Sequence, residues 1–394
     1  MNIKLSTLRS VLHESDDFDA RNRRFIESIE KELGASLQLA DIGDYDCDLK
    51  LIFIESGGSE GFFLEQFDKL QEPYYFITSG ENNSLAATLE IMTYLNKHNK
   101  VGEIIHGSIS YMVKRINELA RVEAATEVLK NARLGVVGAP SDWLIASIPD
   151  YAKVKETLGI ELIDVPLQMV VDKFNTVDLA NYNEPELLEF DTKELDAAKK
   201  VYLALNEIKD EYKLDGLTLR CFDLLDTLHT TGCLGLAFLN KKGIMGTCEG
   251  DVMAMVTMMV VRALTGQSSF QANPSKIVVD SNQITLAHCT IPFDMLTDYH
   301  LKTHFESGIG VAVKGELKTE DVTVFRMSSD LKRYFVSEGK IVTNLNEPNL
   351  CRTQIVVELD EPVDTLLTNP CGNHHIIFYG RHKALVDQLL KNLL

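Results

Sequence analysis

Three side chains able to do acid–base or metal chemistry stand within one stretch of the 394-residue sequence: Glu249, Asn273 and His288. The stretch runs from Gly246 to Pro292. It begins G-T-C-E-G-D-V, passes through an apolar run, and continues as F-Q-A-N-P-S and then I-T-L-A-H-C-T-I-P. A second stretch, C-G-N-H-H-I-I-F-Y-G from Cys371 to Gly380, carries the adjacent histidines His374 and His375. Neighbours entering a strand point to opposite faces, so at most one of the two reaches a given metal. Imidazole, carboxylate and amide oxygen suit Mn²⁺, Co²⁺, Ni²⁺ or Fe²⁺ better than a sulfur-rich site would. No H-E-x-x-H motif is present, so such a site has to be assembled from distant parts of the chain. A plainer reading of the same residues stands beside this one. Glu249 and Asp251 also suit the first turn of a helix, where the dipole favours acids, and His288 also suits a satisfied core histidine.

The elements around these residues place them at edges. Val252 to Thr265 contains neither Pro nor Gly, and Gly266 follows it. That pattern predicts a buried helix with a glycine stop, and puts Cys248 to Asp251 in the turn at its N-terminus. Ile284 to Ala287 reads as a short apolar strand that delivers His288 at its end. In open α/β sheets, ligands sit beyond the strand ends, where a carboxylate at a strand-to-helix turn can meet such a histidine.

Upstream, strands and helices alternate. Ile3 to Leu12 is strand-like, and Asp17 to Leu33 has apolar residues at helical spacing with Gly34 as its stop. Leu49 to Ile54 and Tyr74 to Thr78 are nearly continuous apolar strands of the kind buried on both faces. Leu85 to Leu95 reads as helix and Val101 to Ile105 as strand. This alternation predicts parallel βαβ units. Ser56 to Gly61 (S-G-G-S-E-G) has the glycines of a phosphate-cradling loop but the spacing of neither a P-loop nor a dinucleotide fingerprint, and reads as a turn.

Gly107 to Asn131 reads as one long helix linking two domains. A second α/β unit follows, with strands at Arg133 to Val137, Ile160 to Val165 and Leu217 to Phe222. Trp143, the only tryptophan, follows the first of these; an indole face can wall a sugar ring or fill a core. Thr192 to Tyr212 is an amphipathic helix capped by Asp191 with Glu194. Arg220 calls for a carboxylate partner unless its strand edge is wet. After Pro292, closely spaced strands appear at His300 to Gly315, Val322 to Met327, Tyr334 to Thr343 (with a turn at Glu338-Gly339), Arg352 to Leu359 and Ile376 to Tyr379. A helix from Lys383 closes the chain. The expected fold is α/β: two doubly wound Rossmann-like domains, 1–130 and 131–298, then a β-rich, barrel-like domain, 299–394.

Composition narrows the function. The formal charge of −19 argues against a phosphate-backbone partner. No apolar run approaches the roughly 18 residues of a membrane span, and the N-terminal residues lack a signal-peptide pattern. Seven cysteines, scattered and without a C-x-x-C pair, fit a reduced cytoplasmic protein.

The motifs G-T-C-E-G-D-V, F-x-A-N, L-A-H-C and N-H-x-x-x-x-Y-G, with T-H-F-E-S-G-I-G-V-A-V from Thr303 and V-T-V-F-R-M from Val322, resemble the L-fucose isomerase and L-arabinose isomerase superfamily. The likeness covers Arg133 to the end; residues 1–130 share only the βα alternation. It implies a three-domain, metal-dependent aldose–ketose isomerase working through an ene-diol, with Mn²⁺ as cofactor, a sugar or sugar derivative as substrate, and a homo-oligomer, trimer or hexamer. It implies Glu249 and Asn273 as the catalytic pair, and Glu249, Asn273 and His374 as metal ligands. His288, Trp143, Arg220 and His375 become substrate-binding residues. One departure stands out: the second acidic position of the pattern is Asn273 here, and an amide can ligate a metal but is no base at neutral pH. The alternative is a sugar-binding relative of the same fold without turnover.

Overall fold

The structure is a computed structural model, and it describes residues 2–11, 15–184 and 189–394. The chain divides into two compact units, Met1–Ala124 and Ala125–Leu394. No helix among the described residues is long and apolar enough to cross a membrane.

The first unit realises the alternation read from the sequence. Its elements are β1 (Ile3–Leu8), α1 (Asp16–Leu33), β2 (Leu37–Leu39), β3 (Leu49–Ile54), α2 (Glu60–Gln66), β4 (Tyr74–Thr78), α3 (Ser84–Lys97) and β5 (Gly102–Ile105). The five strands are parallel, in the order β2-β1-β3-β4-β5. β3 and β4 are buried along their whole length, as their unbroken apolar runs require. The strand expected to reach Leu12 ends at Leu8; residues 12–14 lie outside the described part of the chain. Helix α4 (Ile109–Lys130) starts in this unit and ends in the next.

The second unit opens with β6 (Arg133–Val137), α5 (Tyr151–Leu158), β7 (Glu161–Val165), α6 (Leu167–Thr176), α7 (Thr192–Tyr212), β8 (Gly216–Leu219), α8 (Asp223–Leu228), α9 (Cys233–Lys241) and β9 (Met245–Cys248). Its four strands form a parallel sheet, β7-β6-β8-β9. Asp191 caps α7 by accepting from the Glu194 N–H, as the capping pattern requires. The Glu194 carboxylate does not turn back to close the box; it accepts the Gly310 N–H at 2.8 Å instead.

Helix α10 (Val252–Thr265) then crosses from the sheet to a barrel. Nearly all of it is buried, and Gly266 ends it in the left-handed conformation that its missing Cβ permits. The remaining elements are β10 (Phe270–Val278), β11 (Gln283–His288), β12 (Leu296–Lys302), β13 (Ala312–Leu317), β14 (Asp321–Met327), β15 (Tyr334–Asn344), β16 (Thr353–Leu359), α11 (Thr365–Thr368), β17 (His375–Tyr379) and α12 (Lys383–Leu393). Six of the strands close an antiparallel barrel in the order β10-β11-β16-β15-β14-β17, while β12 and β13 pair separately. One hydrophobic core runs from Leu217 and Leu219 of the sheet into Phe270, Ile284, Val324 and Ile355 of the barrel.

Two sequence expectations change here. The barrel takes its first strands, β10 and β11, from upstream of residue 299, so His288 ends a barrel strand rather than a strand of an open sheet. Glu338-Gly339 is not a turn: β15 runs straight through it. A Cβ at Gly339 would lie 2.3 Å from the Glu358 carbonyl oxygen, so this glycine admits a close neighbouring strand.

Candidate active site

The Glu249 carboxylate is aimed by unusual backbone. β9 ends at Cys248, and Glu249 and Gly250 both take φ of +66° before Asp251 caps α10. Gly250 is obligatory, since a Cβ there would lie 2.4 Å from the Ala139 carbonyl oxygen. For Glu249 the left-handed region costs on the order of 1–3 kcal/mol, a strain typical of functional sites. The Asp251 N–H closes the turn on the Cys248 carbonyl at 3.2 Å, and three bonds tie it to its surroundings. The Ser141 N–H donates to the Glu249 carbonyl at 3.1 Å, the Gly250 N–H to the Leu219 carbonyl at 3.0 Å, and the Cys248 N–H to Gln271 Oε1 at 2.8 Å.

Glu249 Oε1 lies 3.4 Å from His374 Nε2 and 3.6 Å from His288 Nε2, while Oε2 accepts the Trp143 indole N–H at 2.8 Å. Burial works against ionisation of this carboxyl, but the two imidazoles outweigh it and hold the group well below the usual carboxylate range.

Behind His374 is a fully buried support. Its Nδ1 donates to Asp251 Oδ2 at 2.8 Å. Asp251 Oδ1 accepts the Ala254 N–H at 2.8 Å, and both carboxylate oxygens are 3.2 Å from the buried Arg326 guanidinium. Arg326 also donates to Ser147 Oγ at 3.0 Å. Burial would raise the Asp251 pKa, but the Arg326 charge and the His374 hydrogen bond bring it down to about 2. Burial would lower that of His374, but its hydrogen bond to Asp251 and the Glu249 carboxylate close to Nε2 push it up to about 9. His374 Nε2 is buried and has no hydrogen-bond partner.

His288 is set differently. Its Nδ1 accepts the Thr290 N–H at 3.3 Å, so its proton sits on Nε2, facing Glu249. Burial pushes its pKa down. Among the described residues, Glu249, His288 and His374 are the group of side chains whose donor atoms converge closely enough to share an ion.

Asn273, on β10, lines the same recess as Glu249 and His288. The enclosed part of that recess is about 30 Å³, room for about two waters. Phe222, His304 and Glu306 stand around it, and so do five thiols. Burial and the neighbouring His288 push the His304 pKa down to about 4; burial and Glu249 push that of Glu306 up.

The other expected substrate residues are placed less uniformly. Trp143 is half exposed rather than a core residue, and packs edge-on against Phe222 at 5.1 Å. Arg220 lies just past β8 and does not line the recess; Asp142 at 3.1 Å and Asp223 at 3.0 Å neutralise it. His375 faces away from Glu249: its Nδ1–H donates to the Asn373 carbonyl at 3.0 Å and its ring lies against Phe335. That is the alternation adjacent strand residues impose. His304 and Glu306 escaped the sequence reading, although T-H-F-E-S-G-I-G held a signal in its two glycines: at 308 and 310 they take the left-handed conformation and break the single strand expected at His300 to Gly315 into β12 and β13.

No family model matches this chain. It is similar to curated proteins named sulfoquinovose isomerase. With that of Priestia aryabhattai it is 25% identical over 274 residues, 63% of this chain and 58% of that protein. With that of Alkalicoccus urumqiensis it is 22% identical over 279 residues, 64% of this chain and 60% of that protein. With that of Clostridium sp. (strain MSTE9) it is 28% identical over 215 residues, 50% of this chain and 47% of that protein. The chain thus spans less than two thirds of the length of each of these relatives.

Proposed function

We propose that this chain is a metal-dependent sugar isomerase, interconverting an aldose and a ketose, of the L-fucose and L-arabinose isomerase type. The observation that carries the reading is the buried His374 Nε2, without a hydrogen-bond partner and 3.4 Å from Glu249 Oε1. The relatives named sulfoquinovose isomerase support a sugar as substrate.

The donor set fits a divalent cation. Ligands at about 2.0–2.2 Å from an ion stand about 3.0–3.6 Å from one another, the spacing found between Glu249 and His374. Around His374 two carboxylates face one guanidinium, so the pocket favours positive charge; without a metal, a proton on Nε2 supplies it. With Nδ1–H committed to Asp251, Nε2 has its lone pair free whenever that proton leaves. Glu249 and His374 would hold the ion, with the amide oxygen of Asn273. When bound, it polarises the carbonyl and hydroxyl oxygens of an open-chain sugar.

The chain's own residues divide the remaining work. Glu249 moves the proton between C1 and C2. His288 offers its Nε2–H to a sugar oxygen. Glu306, whose pKa is raised while that of Glu249 is lowered, is the second carboxyl of the recess and the one suited to hand a proton to a sugar oxygen. Trp143, half exposed and hydrogen-bonded to Glu249, would flank the part of the sugar that lies away from the imidazoles. Exposed Trp143, Ile145 and Ile148 on one short segment support a homo-oligomer.

The test is turnover of a sugar panel, including sulfoquinovose, by Mn²⁺-loaded protein, read by NMR. Glu249→Gln should cost about 10²–10⁴ in rate while sugar still binds. A parent that binds sugar and isomerises none would move the assignment to a binding protein, the reading that Asn273 in place of an acid favours.

A further inference from the structure

The two oxygens of Glu249 have separate neighbours: Oε1 faces the His374 and His288 imidazoles, and Oε2 accepts the Trp143 indole N–H at 2.8 Å. Burial does not oblige Trp143 to make that bond. Its side chain is half exposed, so water is at hand for an indole donor. A support holds the ring in place instead, and two of its members follow directly on β8. Arg220 donates to the Pro140 carbonyl and grips the Asp142 carboxylate with two nitrogens, at 3.2 and 3.1 Å. Phe222 lies edge-on against the Trp143 ring at 5.1 Å. The Leu144 N–H closes on the Ser141 carbonyl at 3.0 Å, and the Ser141 N–H bonds the Glu249 carbonyl. The turn that carries Trp143 is therefore tied to the same residue that the indole touches. Arg220 gains a task here as well: it fixes this turn rather than a ligand.

We propose that Trp143 is a positioning residue for Glu249. The last torsion of a glutamate is broad, so a free carboxylate turns and exchanges its oxygens. A charge-assisted N–H bond to one of them stops the exchange. With Oε2 held, Oε1 alone is turned to the imidazoles, and a cation there meets one oxygen of Glu249 rather than two. Oε2 gives one lone pair to the indole and keeps the other in a fixed direction for the proton that Glu249 moves. The indole N–H stays on Oε2 whether or not an ion is bound. The hydrogen bond is independent of any reaction; its effect on turnover rests on the isomerase function proposed for this site.

The experiment is NMR of the full chain labelled with ¹⁵N-tryptophan. Trp143 is the only tryptophan, so one indole N–H signal reports it. The expected signal lies downfield of a free indole, exchanges slowly with water although the ring is half exposed, moves upfield in Glu249→Gln, and stays downfield when Mg²⁺ is added. Trp143→Phe keeps the ring against Phe222 and removes only the N–H. It should hold the parent's thermal midpoint and, for a sugar the parent isomerises, lower kcat by about 10- to 100-fold with KM little changed. The proposal is overturned if the signal sits at the free-indole position, if Glu249→Gln leaves it unmoved, if Mg²⁺ returns it to the free position, or if Trp143→Phe turns over sugar at the parent's rate. The parent's own spectrum with and without Mg²⁺ decides the matter even if a variant folds poorly. A parent that isomerises no sugar removes the isomerase function and leaves the positioning of Glu249 to be settled by that spectrum.

Discussion

Asp251→Asn removes one charge from a buried assembly and changes little else. The asparagine keeps the shape, and its side-chain oxygen still caps α10 at Ala254, so the cap contributes little to the loss. What changes is Arg326. It is fully buried, Asp251 is its one carboxylate partner among the described residues, and its Nε has no hydrogen-bond partner. Removing one member of a buried ion pair costs about 3–5 kcal/mol, because the other charge is left stranded. His374 loses its charged acceptor as well, within the same figure rather than on top of it. Arg326→Met in the Asp251→Asn background removes the stranded charge, so the double variant should lose clearly less than the two single losses added together. The assay is urea unfolding followed by fluorescence. Trp143 is the only tryptophan, so the signal reports the second unit alone and the division of the chain does not confuse it. The reasoning fails if Asp251→Asn stays within about 1 kcal/mol of the parent, or if the two substitutions simply add.

Asn273→Asp adds a charged oxygen to the recess and should tighten Mn²⁺ binding by about tenfold, about 1.4 kcal/mol, in isothermal titration; unchanged affinity would remove residue 273 from the ligand set. Gly339→Ala should destabilise the barrel by about 1–3 kcal/mol, since β15 must move off the Glu358 carbonyl; a thermal midpoint equal to the parent's would contradict the close approach. His304 and His375, both held neutral by burial with pKa pushed down to about 4, should make the fold acid-sensitive. Their contribution is intact above about pH 6.5 and is lost as pH falls toward 4, because the unfolded chain takes up the protons first; about 3 kcal/mol per histidine is the ceiling. Thermal midpoints from pH 7 to pH 4.5 check this, and His375→Asn should flatten the fall.

Local signals in the sequence were enough for the elements whose boundaries are set locally. Asp191 and the helical periodicity bounded α7, and Asp251 with Gly266 bounded α10. Strand alternation separated His374 from His375. Gly339 misled because glycine serves tight turns and close strands alike, and only the neighbour across the sheet distinguishes the two. The β10 and β11 strands read as a continuation of the α/β pattern because closure depends on partners, β16 and β17, found far along the chain. For the same reason the Asp251–Arg326 pair was not legible. Arg326 falls on the same face of β14 as the apolar Val322 and Val324, and nothing nearby in sequence says that a carboxylate at the start of α10 will meet it.

Glu249 comes from the last strand of the parallel sheet, and the two imidazoles beside it come from the ends of barrel elements. Whatever joins these three side chains also fastens sheet to barrel. Affinity for that ligand is then mechanical as well as chemical: each kilocalorie gained on binding is one more needed to part the two layers. Amide exchange should slow in β9 and β17 together when the site is filled. A chelator or competing ligand would act at a seam, loosening elements far from any atom it touches.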